Sequence, residues 1–274
     1  MTIPPNLDGR DGGETTLRTL VRDPVRLAYH ETGSGSPPLV FLHGWGGNHG
    51  HFEHVSAHFA DRHQVLAPDL RGFGGSDQPS SGYEVEELAD DLLWMCEQRG
   101  IEDAVLIGHS LGGAVALAAA SRRPRLARAL VLCEPAIFFP SPALKRIDTL
   151  IADLASPRCH AAACAYASRF TFLEQDDESV RDAVLAELRT CSPHVLHAVF
   201  AGLRAFDAEP CASRLRSPVL MIDGARPFVE SDRFRRCCPQ LQVAATPEVG
   251  HYQPLLAPQA VSERITEFLA GLGD

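Results

Sequence analysis

Lysine is almost missing from this chain: Lys145 stands alone among 25 basic side chains, and 35 acidic ones outnumber them. The formal net charge of −10 at pH 7 leaves no basic footprint for nucleic acid or an anionic lipid surface. Long apolar runs are also missing, so nothing in the sequence reads as a bilayer-spanning helix. The opening stretch, "MTIPPNLDGRDGG", lacks an apolar h-region and reads as a loose polar lead-in, not a signal peptide. The 8 cysteines include no C-x-x-C pair, which removes the core spacing of zinc-ribbon and thioredoxin sites. They are too sparse for a disulfide scaffold and read as small buried hydrophobes in a reducing cytoplasm. These absences leave a soluble, acidic protein, expected in the cytoplasm, with a small molecule as its partner. Neither nucleic acid nor membrane is expected, and homodimerisation is left open.

What remains is an ordinary globular composition, 45% hydrophobic over 274 residues. Segments 16–21 and 25–32 alternate enough to pair as antiparallel edge strands. Segments 37–44, 63–72, 104–110, 129–135, 218–224 and 241–251 are short apolar runs of the kind buried on both faces of a sheet. Helical patterns over 51–60, 85–99, 111–122 and 257–271 lie between and after them. That alternation predicts an α/β fold, a mostly parallel eight-stranded sheet with helices on both faces. Four further helical patterns, within 141–206, interrupt the rhythm, with Asp176 and Ser192 as expected N-caps. The division expected is a core of 1–136 and 213–274 with a helical cap over 137–212.

Chemistry concentrates in "GHSLGG", 108–113, placed directly after an apolar strand and before an alanine-rich helix. G-x-S-x-G in that setting is a nucleophile elbow, and it makes Ser110 the candidate nucleophile. His251, on the loop beyond the last strand, is the candidate general base, while His109 is expected to point away. Two backbone amides must receive the oxyanion: Leu111, and within "HGWGGN" Trp45, with Gly44 second. His49, His51, His54 and His58 are expected to be solvated and not a metal site, and Cys237–Cys238 to sit side by side on a helix.

"HGWGG", "APDLRGFGGSD", "GHSLGG" and "VGHYQPLLAPQAVSERITEFL" together resemble the α/β-hydrolase fold family over nearly the whole chain outside the cap. In "DLRGFGGS", Asp69 and Arg71 are expected to shape a turn. The family's usual triad acid would fall in a G-x-x-D pattern after segment 218–224, and there this chain has Pro227. Three acids compete for the role: Asp223, Asp232 and Glu134. Glu134 lies 24 residues past Ser110, the placement found in fungal zearalenone lactonases and a subgroup of haloalkane dehalogenases, which resemble this chain in that respect. A carboxylate at the end of a buried strand is costly unless paired, which also favours Glu134, with Asp223 as the alternative acid.

The resemblance implies a serine hydrolase that cleaves an ester or lactone of a small to medium apolar substrate through an acyl-enzyme, with no metal or organic cofactor. A cofactor-independent oxygenase, a carbon–carbon bond hydrolase and a non-catalytic binding protein on the same fold are the competing readings.

Overall fold

The computed structural model describes residues 17–246 and 248–273. The polar lead-in falls outside the described residues. In chain order the elements are β1 (Arg18–Arg22), β2 (Val25–Thr32), β3 (Leu39–Leu42), α1 (Glu53–Ala57), β4 (Val65–Pro68), α2 (Val85–Gln98), β5 (Ala104–His109), α3 (Leu111–Arg122) and β6 (Ala127–Cys133). Then come α4 (Ser141–Leu154), α5 (Cys159–Phe170), α6 (Glu178–Thr190), α7 (Pro193–Ala205), α8 (Ala208–Arg214), β7 (Val219–Asp223), α9 (Ser231–Cys237), β8 (Leu241–Ala245), α10 (Gln253–Leu256) and α11 (Pro258–Ala270).

The eight strands form one sheet in the order β1-β2-β4-β3-β5-β6-β7-β8. β2 pairs antiparallel with β1 and with β4, and every other pairing is parallel. The short apolar runs are explained by burial on both faces. In β3, Val40 and Leu42 join the core beneath α2 and α3, while Leu39 and Phe41 join a second core against α1 and α11. The alternation of β5 does the same: Leu106 faces the first core, and Val105 and Ile107 the second. Each buried aliphatic side chain contributes about 1.5–3 kcal/mol, so a strand with apolar residues on both faces is held from both sides.

Parallel pairing brings the C-terminal ends of β3, β5, β6, β7 and β8 to one edge. Register is tight there: His109 lies opposite Cys133, Cys133 opposite Ile222, and Asp223 opposite Ala245. The five helices α4–α8 all fall between β6 and β7.

Several details differ from the pattern reading. The helix expected over 51–60 is a 3-10 turn at His49–Phe52 followed by the short α1. The strand expected over 63–72 ends at Pro68, because Asp69 turns the chain by accepting from the amides of His49 and Gly75, each at 2.7 Å. Asp177, not Asp176, caps α6, accepting from Ser179 N at 2.8 Å. Ser192 is at the N-cap of α7 but its hydroxyl bonds His194 Nδ1 instead of a helix amide. Helices α8, α9 and α10 are too short for a periodicity to declare them.

Candidate active site

Ser110 occupies the one residue between β5 and α3, with φ +52° and ψ −113°. Such a backbone conformation costs a non-glycine residue about 1–3 kcal/mol and persists only where its surroundings impose it. The surroundings here are two glycines. A Cβ on Gly108 would strike the backbone of Gly112, and one on Gly112 would strike the carbonyl of Leu42. Bonds from Ser110 N to Cys133 O (3.0 Å) and from Ala136 N to Ser110 O (2.9 Å) tie the turn to the end of β6. The partly exposed serine thus stands at the head of α3, where helix amides favour negative charge.

The loop after β3 is fixed by His43, which is fully buried. Burial pushes its imidazole down to about 4, so it is neutral. Nδ1–H then donates to Gly44 O at 2.7 Å, and Nε2 accepts from Leu70 N at 2.9 Å. Gly46 takes φ +77°, and the Gly47 amide donates back to Gly44 O at 3.2 Å. Among the described residues, the amides of Trp45 and Leu111 donate to no protein acceptor. Trp45 Nε1 donates to Leu196 O at 3.1 Å, and its ring meets Phe200 edge-on with centroids 4.6 Å apart.

Glu134 follows β6 directly, 1% exposed and at φ +44°. Its Oε1 accepts from Gly224 N at 2.6 Å, and its Oε2 lies 3.4 Å from His251 Nδ1. The second distance is longer than the roughly 2.7–3.2 Å of a close N–H···O bond, and such bonds commonly tighten when substrate binds. Asp223 is also buried, but its Oδ1 has no partner among the described residues. Burial, and then the neighbouring Glu134 charge, raise its carboxyl to about 6. Asp232 is exposed and lies 3.4 Å from Arg235. Of the three candidate acids, the structure brings Glu134 to His251.

Four contacts seat His251. Besides Glu134, its amide donates to Thr171 O at 2.8 Å and its carbonyl accepts from His109 Nε2 at 2.9 Å. The preceding Gly250 amide donates to Asp176 Oδ1 at 3.2 Å. No hydrogen bond joins Ser110 Oγ to His251 among the described residues, yet both line one cavity. That cavity has a free volume of about 40 Å³ and is walled by Trp45, Phe139, Tyr166, Phe200, Phe228 and Tyr252.

His109 corrects the sequence reading: its ring does not point away but packs against His251, centroids 4.6 Å apart, and borders the cavity. Complete burial and then the nearby His251 hold its pKa well below the usual histidine range, so it is neutral, and its Nε2–H is the donor to His251 O. The histidine cluster divides. His54 and His58 are exposed as expected, whereas His51 is buried with Nε2 2.6 Å from Glu187 Oε2, and His49 Nδ1 lies 2.8 Å from Asp69. No group of three or more His, Cys, Asp or Glu side chains is spaced to hold a metal among the described residues. Asp69 and Arg71 shape a turn as expected, Arg71 being clamped on Asp91 through two bonds of 2.7 Å. Cys237 ends α9 and Cys238 caps it, both with free thiols.

Thr171, Asp176 and Phe228 are site residues that motif reasoning missed. Thr171 and Asp176 act through backbone groups of a distant loop, which leaves no pattern in sequence. Phe228 did leave one: it follows the Pro227 that fills the usual acid position, and its ring rests on His251, centroids 4.9 Å apart.

The architecture is the α/β-hydrolase fold, and residues 37–157 match the family described as alpha/beta hydrolase fold. Among particular proteins, the chain is 29% identical over 265 residues to 2-(acetamidomethylene)succinate hydrolase of Mesorhizobium japonicum, covering 89% of this chain and 92% of that one. An esterase from Thermogutta terrifontis superposes with TM-score 0.82 at 23% identity, over 94% of this chain and 100% of its own. The enol-lactonase from Burkholderia xenovorans LB400 superposes with TM-score 0.83 at 20% identity, over 92% and 100%. The two superpositions speak to fold alone. No helix among the described residues is long and apolar enough to cross a membrane.

Proposed function

We propose that this protein is a serine hydrolase that cleaves a carboxylic ester or lactone through an acyl-enzyme. The observation that carries the reading is the strained Ser110 at the head of α3, sharing one cavity with a His251 whose Nδ1 faces the buried Glu134. In this reading Ser110 Oγ attacks the carbonyl carbon while His251 Nε2 takes its proton. The amides of Leu111 and Trp45 receive the oxyanion. Collapse of the tetrahedral intermediate expels the alcohol, to which His251 returns the proton. Water, deprotonated by His251, then releases the acid and restores the serine. Glu134 holds the Nδ1–H tautomer and stabilises the imidazolium, and Gly224 N steadies Glu134 in turn. Asp223 is set aside as the acid because its carboxylate is destabilised where it sits and is bonded to neither His251 nor Glu134. The helices α4–α8 serve as a cap, since Tyr166, Phe200 and Leu203 from them close the cavity. The chain's relatives support hydrolase chemistry: the first of them is named as a hydrolase and resembles this chain almost end to end.

The test is hydrolysis of a 4-nitrophenyl ester with trapping of the nucleophile. An uncharged organophosphonate is expected to add once, at Ser110, and abolish turnover, and Ser110→Ala is expected to lose at least about 1,000-fold in kcat. Oxygen uptake on an aromatic substrate that survives Ser110→Ala would replace the hydrolase with the oxygenase reading.

A further inference from the structure

We infer that the cavity selects an uncharged carbonyl compound with a largely apolar acyl part, and that it rejects acyl groups carrying a carboxylate. The inference rests on the reading of Ser110 as nucleophile and adds what the nucleophile is offered.

Charge is decided by what lines the cavity. No arginine or lysine borders it among the described residues, and its one carboxylate is Glu134. Cations do lie nearby, but behind the walls. Arg146 stacks on Phe170 at 5.1 Å and Arg181 on Phe172 at 5.6 Å, and neither those arginines nor those rings border the cavity. A carboxylate entering would therefore lose water, gain no counter-charge and face the buried negative charge of Glu134. The wall's polar side chains are partly spent: Trp45 Nε1 on Leu196 O, and the Thr171 hydroxyl on Ala167 O at 2.6 Å. The surface left to the substrate is largely carbon.

Shape is decided by rings. Phe200 meets Trp45 at 81° and Tyr166 at 77°, with centroids 4.6 and 5.7 Å apart, so the wall offers both ring faces and ring edges. Aromatic partners favour such offset or edge-on contacts, which suits a planar guest. The contrast with the Mesorhizobium relative is chemical: the compound in its name is a succinate, with two carboxyl groups, and among the described residues no arginine or lysine borders this cavity to pair with them.

The experiment compares three 4-nitrophenyl esters with the same leaving group: phenylacetate, 4-carbamoylphenylacetate and 4-carboxyphenylacetate, at pH 8. Each hydrolysis consumes one water, breaks the acyl–oxygen bond and releases 4-nitrophenol. The carboxylate ester is expected to show kcat/KM at least about 100-fold below its isosteric carbamoyl ester. Leu203→Arg, which puts a cation on the wall, is expected to narrow that ratio at least tenfold relative to the unmodified protein. A carboxylate ester turned over within threefold of the carbamoyl ester, with Ser110 still phosphonylated, would overturn the substrate class and leave the nucleophile standing. Absence of both turnover and phosphonate adduct would overturn the nucleophile itself.

Discussion

Asp223 and Glu134 are two carboxylates at the ends of adjacent strands, and their surroundings drive them apart. Glu134 Oε1 accepts from Gly224 N and its Oε2 faces His251, while Asp223 Oδ1 is buried without a partner among the described residues. Asp223 has a folded-state pKa of about 6, above its ordinary value of 3.8. An acid shifted up binds its proton more tightly in the folded state, so its full contribution is present below pH 3.8 and is lost as pH rises through 6. Asp223→Asn, which cannot ionise, is therefore expected to raise Tm at pH 8 and to leave it nearly unchanged near pH 4. Thermal melts of the two proteins at both pH values check this. A Tm that falls equally at both would mean that the aspartate carboxylate makes a bond the structure lacks.

At the scale of elements, the segment between α5 and α6 grips the loop that carries His251. Thr171 O takes the His251 amide, Asp176 Oδ1 takes the Gly250 amide, and Asp176 Oδ2 takes Leu173 N at 2.7 Å. Phe172 stacks on Tyr252 with centroids 4.9 Å apart. The helices inserted between β6 and β7 thus hold the base of the proposed triad as well as roofing the cavity. Asp176→Ala frees two buried amides, each worth about 1–3 kcal/mol when left unpaired. The expected result is a kcat lowered at least tenfold, a KM changed by less than threefold, and a shifted acidic limb of the pH–rate profile. Steady-state kinetics across pH 5–9 on folded protein would check it, and an unshifted pH limb would confine Asp176 to a structural role.

The same scale separates what could be read in sequence from what could not. The buried strands declare themselves because both faces of β3 and β5 are apolar, and the elbow because Gly108 and Gly112 leave no room for a side chain. Ser110, His251 and Glu134 are legible for a related reason: each directly follows a strand or sits in a recognisable loop, where position implies orientation. Asp176 and Thr171 are not, since they act on backbone amides 74 and 80 residues away in sequence, a relation fixed only by tertiary packing. His109 departs from the expected orientation for another reason. Strand alternation sends neighbouring side chains to opposite faces, but β5 ends at His109, where the loop carrying His251 comes alongside its ring.

Across the whole molecule, the acidic balance and the cavity agree in disfavouring anions, while the fold brings the proposed chemistry to one edge of a sheet whose two cores hold it rigid. The central claim is that Ser110 is a nucleophile activated by His251 and that Glu134, not Asp223, orients that base. It is tested most directly by the rate at which an uncharged organophosphonate labels Ser110, followed by intact mass in the unmodified protein, Glu134→Gln and Asp223→Asn. The account predicts one adduct per chain in the unmodified protein, a nearly equal rate in Asp223→Asn, and a rate at least about 100-fold lower in Glu134→Gln. Rapid labelling of Glu134→Gln with slow labelling of Asp223→Asn, or an adduct anywhere other than Ser110, would contradict it.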